Sequence, residues 1–286
     1  MVTGFIGSDM QGEITTLGRG GSDYSAAIIG DGINADEVWI WTDVDGIMTT
    51  DPAIIPTSRL IPEISFQEVY DLAFFGAQVL HPKTILPALE KNIPVRIKNT
   101  FNKDNPGTFI FPLDQDCHSQ VKAITGLQQV GLLTINGSDY QIVTKLIKSV
   151  KNLLGKPEIK VLGVFNDKNI NSTYIVINRN PTLEQLDALN ELSASQQSTN
   201  IFSGIQITAD QSLITAVGPR ISDNTTIARK LTDQLQQAGV KFSAPISSDS
   251  HHSLSFLIPK KDHLKAIQHI HNELIYCPAS NTSTAD

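Results

Sequence analysis

The sequence predicts an α/β unit over residues 1–112 followed by two ferredoxin-like α+β modules over 121–200 and 201–278, with residues 279–286 as a disordered tail. Three observations lead there. Strand-like and helix-like segments alternate through the first third of the chain, the pattern of a layered α/β domain. The polar, aperiodic stretch Pro112–Gln120 then interrupts the rhythm and reads as a linker. Beyond it the order β-α-β-β-α occurs twice in succession.

The elements of the first unit follow from local chemistry. Met1–Gly7 lacks a basic stretch and a cleavable apolar core, so it is no signal peptide and reads as the middle of a strand. Glu37–Thr42 is a short run of aromatic and β-branched residues, hence a strand. Ser65 and Glu68 have the spacing of a capping box and open a helix. Phe66, Val69, Leu72 and Ala73 share one face of it, and it closes near Gly76. A further helix follows His81-Pro82, since proline suits a first helical turn, and Pro94–Lys98 is another strand.

In the second part, Ile124–Asn136 is strand-like and Tyr140–Leu154 helical, with Ile142, Leu146 and Val150 four apart. Val161–Phe165 and Thr173–Ile177 are strands, and Thr182–Ser193 is a helix. The order then recurs: strand Ser212–Val217, helix Asn224–Ala238, strands Val240–Phe242 and Ser253–Ile258, helix Lys260–Asn272.

Bulk properties exclude several function classes. The 286 residues are 40% hydrophobic and 18% charged, with formal net charge −7. No basic stripe suggests nucleic-acid binding, and no apolar run approaches the roughly 20 residues that cross a bilayer. A cytoplasmic chain without nucleic-acid or membrane partners is expected. Cys117 and Cys277 have no metal-ligand spacing and read as free thiols of a reducing compartment. The histidines at 251, 252, 263, 269 and 271 read as surface residues, and His81 as packed or capping, so no resident metal is expected.

Three segments carry candidate chemistry; in one of them, Phe74–Pro82, Gly76 closes one helix, Pro82 opens the next, and His81 reads as packed or capping rather than as an acid or base. In Thr15–Asp23, three glycines, Gly18, Gly20 and Gly21, let the backbone approach a ligand without Cβ obstruction. Ser22 can cap the following helix, whose free amides attract anions. Arg19 offers a planar fork to a carboxylate or phosphate, and Asp23 an oxygen ligand. An ordinary glycine-rich turn is the competing reading. In Trp39–Pro52 a strand ends in Thr42 and Asp43 before a turn. Open α/β sheets bind ligands at such strand ends; a purely geometric Asp/Gly loop is the alternative.

Leu17–Tyr24, Trp41–Pro52 and Phe75–Pro82, in this order and spacing, resemble the corresponding tracts of aspartate kinases. Ile97–Thr100 and Pro106–Thr108 add to the match, and the repeated modules resemble the paired ACT domains of that family. The resemblance implies the C-terminal part of an amino-acid-kinase α/β/α sandwich followed by two ACT modules. It implies ATP-dependent phosphorylation of the aspartate side-chain carboxylate, the first step towards lysine, threonine and methionine, with ATP and Mg²⁺. Carried over by motif, Arg19, Gly20, Gly21 and Ser22 lie at the aspartate site, with Arg19 and Asp23 catalytic. Thr42, Asp43, Met48, Gln78 and Val79, with the position of Ala53, meet ATP.

This sequence departs from the family pattern at several points. No segment matches the family's opening Lys-Phe-Gly-Gly-Thr-Ser, so the chain alone is expected to be an incomplete kinase. Met48 stands where an aromatic is usual, Ala53 where a basic residue is common, and Gln78 where the family has lysine. Ser138 and Asp139 either cap a helix or meet an amino-acid effector, lysine or threonine, with weak or absent feedback expected. The alternative function is a noncatalytic regulatory subunit. Homo-oligomers, or pairing with a full-length catalytic chain through the ACT modules, suit both readings.

Overall fold

The computed structural model describes residues 1–80, 84–111, 120–137, 160–167, 172–182 and 202–275, with scattered positions between 148 and 191. The expected linker, save Gln120, and the tail lie outside these residues. So do nearly all of the expected helix over 140–154 and much of that over 182–193.

The first unit opens with a two-stranded antiparallel ribbon, β1 (Ile6–Ser8) and β2 (Ile14–Thr16). Helix α1 (Gly21–Gly32) follows, then β3 (Val38–Thr42), β4 (Glu63–Ser65), α2 (Phe66–Phe74), the short α3 (Leu86–Glu90), β5 (Val95–Asn99) and β6 (Thr108–Phe111). β3 to β6 form one sheet in the order β3-β5-β6-β4, with β3 parallel to β5 and β4 parallel to β6. Its apolar face, with Ile40, Ile64, Val95, Ile97 and Ile110, packs on Ala27, Val69, Leu72 and Ala88 from the helices. The expected capping box forms: Glu68 N donates to Ser65 Oγ at 3.2 Å, and Ser65 N to Glu68 Oε2 at 2.7 Å. The helix expected after His81-Pro82 begins only at Leu86, with Pro87 in its first turn.

The second part is one six-stranded antiparallel sheet in the order β11-β12-β10-β7-β9-β8. Its strands are β7 (Ala123–Gly137), β8 (Val161–Asp167), β9 (Ser172–Ile177), β10 (Phe202–Val217), β11 (Ile246–Ser247) and β12 (Ser253–Pro259). β7 and β10 are long because each serves two lobes. The later half of β7 lies between β9 and the start of β10. The later half of β10 lies between β12 and the start of β7. Each lobe therefore has a ferredoxin-like order, and its fourth strand comes from the long strand that begins the other lobe. The register shifts where the lobes meet, between Thr208 and Leu213, and Asp210 there has φ 56°. Such an irregularity lets one strand bend from one lobe into the next.

Sequence periodicity starts β10 at Ser212; the structure starts it at Phe202. The expected division at 200 and 201 falls just ahead of it, and strand pairing crosses that point. Val240–Phe242 is not a strand: the chain there is irregular, and the paired edge is Ile246–Ser247. Its β-branched and aromatic residues are instead side chains that cap the core, Val240 buried and Phe242 edge-on to Phe256 at 5.9 Å. Helices α4 (Thr225–Gln237) and α5 (His263–Ile270) cover one sheet face with Leu231, Leu235, Ala266 and Ile267. Asn224, expected as the first residue of this helix, is instead its N-cap, accepting from the amides of Thr226 and Ile227 at 3.0 and 3.2 Å.

The histidine expectation is overturned in part. His252, His263 and His271 are buried, because tertiary packing encloses them at positions whose polar sequence context suggests solvent. His263 Nδ1 meets Ser212 Oγ beneath α5 at 2.5 Å. His271 Nε2 meets Thr49 Oγ1 of the first unit at 2.9 Å.

The two units are joined along α2. Lys122 Nζ, just ahead of β7, lies 2.9 Å from Glu68 Oε2, and Glu68 is 1% exposed. Ser250 Oγ donates to Asp71 Oδ2 at 2.5 Å, and Phe75 packs on Val130, Leu213 and Leu257 of the sheet. Gly76 (φ 105°) lets the chain leave α2 close to the sheet; a Cβ there would meet Leu127 Cδ2 at 2.7 Å.

Lys122→Met strands a buried carboxylate and is expected to cost about 3–5 kcal/mol in urea unfolding, with much of that recovered in Glu68→Gln/Lys122→Met. An unchanged midpoint for the single variant would show that the pair contributes nothing. Burial also lowers the pKa of both His263 and His271 from the ordinary 6.5. Below that value the unfolded chain binds more protons than the folded one, so their stability contribution is present above pH 6.5 and lost as pH falls through it. Thermal melts should show this decline, and His263→Gln/His271→Gln should flatten it.

Candidate functional site

A cavity of about 940 Å³ opens where four parts of the chain converge. The first is the glycine loop between β2 and α1. Leu17 N donates to Phe5 O at 2.9 Å, holding the loop to the ribbon. Gly18 and Gly20 have φ 78° and 76°, conformations that a Cβ disfavours, and Gly20 is the N-cap of α1. Gly21 is small for another reason. A Cβ there would meet Phe5 Cδ2 at 2.9 Å and Leu17 Cβ at 3.0 Å, so the glycine permits close packing.

Ser22 does not cap α1, contrary to the sequence expectation. The helix begins two residues earlier than a Ser22 cap would set it, leaving Ser22 exposed inside its first turn, and no side chain caps it. The first-turn amides of Ser22 and Asp23 have no intrahelical partner by their position. Arg19 and Asp23 both line the cavity. Burial raises the Asp23 carboxyl above its ordinary 3.8. Among the described residues Arg19 is in no ion pair.

The second part is the carboxyl end of β3. Thr42 Oγ1 donates to Asp43 Oδ1 at 3.1 Å, and both residues line the cavity. The loop beyond is held by Asp45, whose Oδ1 accepts from Asn99 Nδ2 at 2.7 Å and Asn102 Nδ2 at 3.1 Å. Parallel pairing of β3 with β5 sets these loop ends side by side. The third part is α2 and its exit: Tyr70 and Phe74, stacked at 6.2 Å and 11°, then Ala77, Gln78, Val79 and Leu80. The fourth is Lys160, from the second part of the chain.

The structure thus gathers Arg19, Gly20, Asp23, Thr42, Asp43, Gln78 and Val79 around one space. Gly21, Ser22, Met48 and Ala53 are not in its lining. Met48 is half-buried and bridged to Leu60, and Ala53 is exposed, its amide donating to Asp51 Oδ1 at 2.9 Å. Ser138 and Asp139 lie outside the described residues. Sequence reasoning missed Tyr70, Phe74 and Lys160. The i, i+4 aromatic spacing of the first two was a usable signal; Lys160 had none, because its proximity exists only in the fold. Among the described residues no group of three or more His, Cys, Asp or Glu side chains could hold a metal ion, and no helix is long and apolar enough to cross a membrane.

Residues 1–99 match the amino acid kinase family and residues 214–274 the ACT domain. The bifunctional aspartokinase/homoserine dehydrogenase of Buchnera aphidicola subsp. Acyrthosiphon pisum is 33% identical over 278 residues, 96% of this chain and 34% of that protein. Lysine-sensitive aspartokinase 3 of Escherichia coli is 30% identical over 275 residues, covering 95% and 59%. Among solved structures, the aspartate kinase of Clostridium acetobutylicum superposes with TM-score 0.83 at 27% identity, covering 95% of this chain and 62% of that one. E. coli aspartokinase III in complex with aspartate and ADP superposes with TM-score 0.73 at 29% identity, covering 95% and 60%. The chain therefore spans about a third of the bifunctional relatives and about three fifths of the others.

The raised Asp23 pKa carries a stability consequence. Its charged form is disfavoured by burial, so the penalty is present above the folded pKa and vanishes as pH falls below 3.8. Asp23→Asn is expected to raise the melting temperature near neutral pH, with the difference closing in acid; a lower melting temperature at neutral pH would contradict this.

Proposed function

We propose, for a chain homologous to aspartokinases over 96% of its length, that the cavity binds aspartate and ATP and supports transfer of the γ-phosphoryl group to the aspartate side chain. The observation that carries this is the convergence of Arg19, Asp23, Thr42 and Asp43, from two separate sequence motifs, on one cavity. A relative, E. coli aspartokinase III, is solved with aspartate and ADP.

The chemistry needs little from the protein beyond positioning. The nucleophile is the substrate's own carboxylate, ionised near neutral pH because its pKa is about 4. No general base is required. One carboxylate oxygen bonds to the γ-phosphorus as the bridge to the β-phosphate breaks, giving an acyl phosphate and ADP. The obstacle is bringing two anions together in a chain of net charge −7, which makes local positive groups decisive. Arg19 holds the substrate's α-carboxylate through its fork, and Gly20 keeps that approach open. The free first-turn amides of α1 face developing negative charge. Asp23 lies near the reacting phosphate and orients it. Thr42 and Asp43, with Gln78 and Val79, hold the nucleotide, and Tyr70 and Phe74 limit water.

Mg²⁺ needs only one or two carboxylates besides substrate phosphates, and Asp23 and Asp43 fit that requirement. When bound it supplies charge neutralisation on the phosphate oxygens. An amino-acid effector, lysine or threonine, would act through the ACT sheet, with Ser138 and Asp139 as its contacts. The same sheet would carry association into homo-oligomers or with a full-length catalytic chain.

Calorimetric titration with aspartate and with MgADP, alongside trapping of the acyl phosphate as a hydroxamate, tests the reading. Binding of both ligands is expected. Arg19→Gln should weaken aspartate about tenfold to a hundredfold, the loss of a charge-assisted contact of about 1.5–3 kcal/mol, and leave MgADP nearly unchanged. A chain that binds lysine or threonine but neither aspartate nor nucleotide would overturn it in favour of a regulatory subunit.

A further inference from the structure

Among the described residues the cavity has two cationic side chains in its lining, and they come from different units: Arg19 from the glycine loop and Lys160 from just ahead of β8 in the six-stranded sheet. Their charge is matched by Asp23 and Asp43, so the lining that the described residues form is formally neutral. Removing either cation leaves it negative, within a chain of net charge −7 that already repels anions. Lys160 is not placed there by an ion pair: among the described residues its ammonium has no hydrogen bond or salt bridge. Its backbone, by contrast, is fixed at both ends. Lys160 N donates to Asn178 Oδ1 at 2.8 Å, and Asn178 N donates to Lys160 O at 3.0 Å. These reciprocal bonds lock the residue to the end of β9. A held backbone with an unpaired ammonium at a ligand-sized cavity is the arrangement of an anion contact.

Arg19 suits the planar carboxylate of the amino-acid substrate, whereas a lysine is a compact charge that suits a phosphate oxygen. We infer that Lys160 contacts the phosphate chain of the nucleotide, so that the regulatory sheet supplies part of the catalytic cavity itself. This rests on the reading of the cavity as an ATP site. It adds a physical route for control: any displacement of β8 and β9 carries a cation towards or away from the nucleotide.

The experiment is calorimetric titration of the full chain with MgADP, AMP, adenosine and aspartate, for the wild type, Lys160→Gln and Lys160→Arg, with melting temperatures recorded for each. Lys160→Gln is expected to weaken MgADP about tenfold, AMP less, and adenosine and aspartate not at all, since the lost partner is a phosphate oxygen. Lys160→Arg should stay within about threefold of wild type, because it keeps the charge. A merely structural role would lower the melting temperature or weaken all four ligands alike, and either pattern overturns the inference. MgADP binding that is intact in wild type and equal in Lys160→Gln overturns it while leaving the ATP-site reading standing. A wild type that binds no nucleotide overturns both.

Discussion

Everything in this molecule is referred to helix α2, and α2 is held by the buried carboxylate of Glu68. One oxygen of that group closes the capping box on Ser65 and accepts the Lys122 ammonium, with Glu68 1% exposed. A local device for starting a helix therefore doubles as the joint between the two units. The cost of burying a charge is offset only while both partners stay in place. The orientation of α2 and the position of the six-stranded sheet are fixed together.

Different faces of α2 meet different parts of the protein. Tyr70, Ala73 and Phe74 line the cavity. Asp71 accepts from Ser248 and Ser250 of the loop before β12, and Phe75 enters the sheet's apolar face. The residues making these contacts are neighbours on one helix, so the cavity wall and the sheet share a single element. The lobes of the sheet are themselves interlocked. β7 and β10 each run through both lobes, and neither lobe completes its four strands without the other.

The electrostatics of the cavity follow the same division. Among the described residues, the first unit contributes the glycine turn, helix amides, Arg19, Asp23 and Asp43, and the second contributes Lys160. Burial pushes the Asp23 carboxyl up, the usual sign of a group placed for function at some expense in stability. The glycine loop shows the same compromise: Gly18 and Gly20 adopt conformations open to glycine, while Gly21 is small because Phe5 and Leu17 leave no room.

What is local could be read from the order of the amino acids. The capping box at Ser65–Glu68, the Asn224 cap, the spacing of apolar residues in α2 and α4, and the glycine loop with Arg19 and Asp23 all depend on contacts a few residues apart. Most of the last β-α-β-β-α unit, with its helices Thr225–Gln237 and His263–Ile270, was legible for the same reason. The remainder arises from packing over long range. Strand exchange between the lobes depends on pairing across 80 residues or so, about which local periodicity is silent. His252, His263 and His271 lie in polar segments, yet packing encloses them. Ser22 stands one residue inside a helix whose start is set by the turn at Gly20. Lys160 reaches the cavity only because two sheets meet along α2. Local chemistry sets which elements form; the burial of long-range surfaces sets which side chains meet.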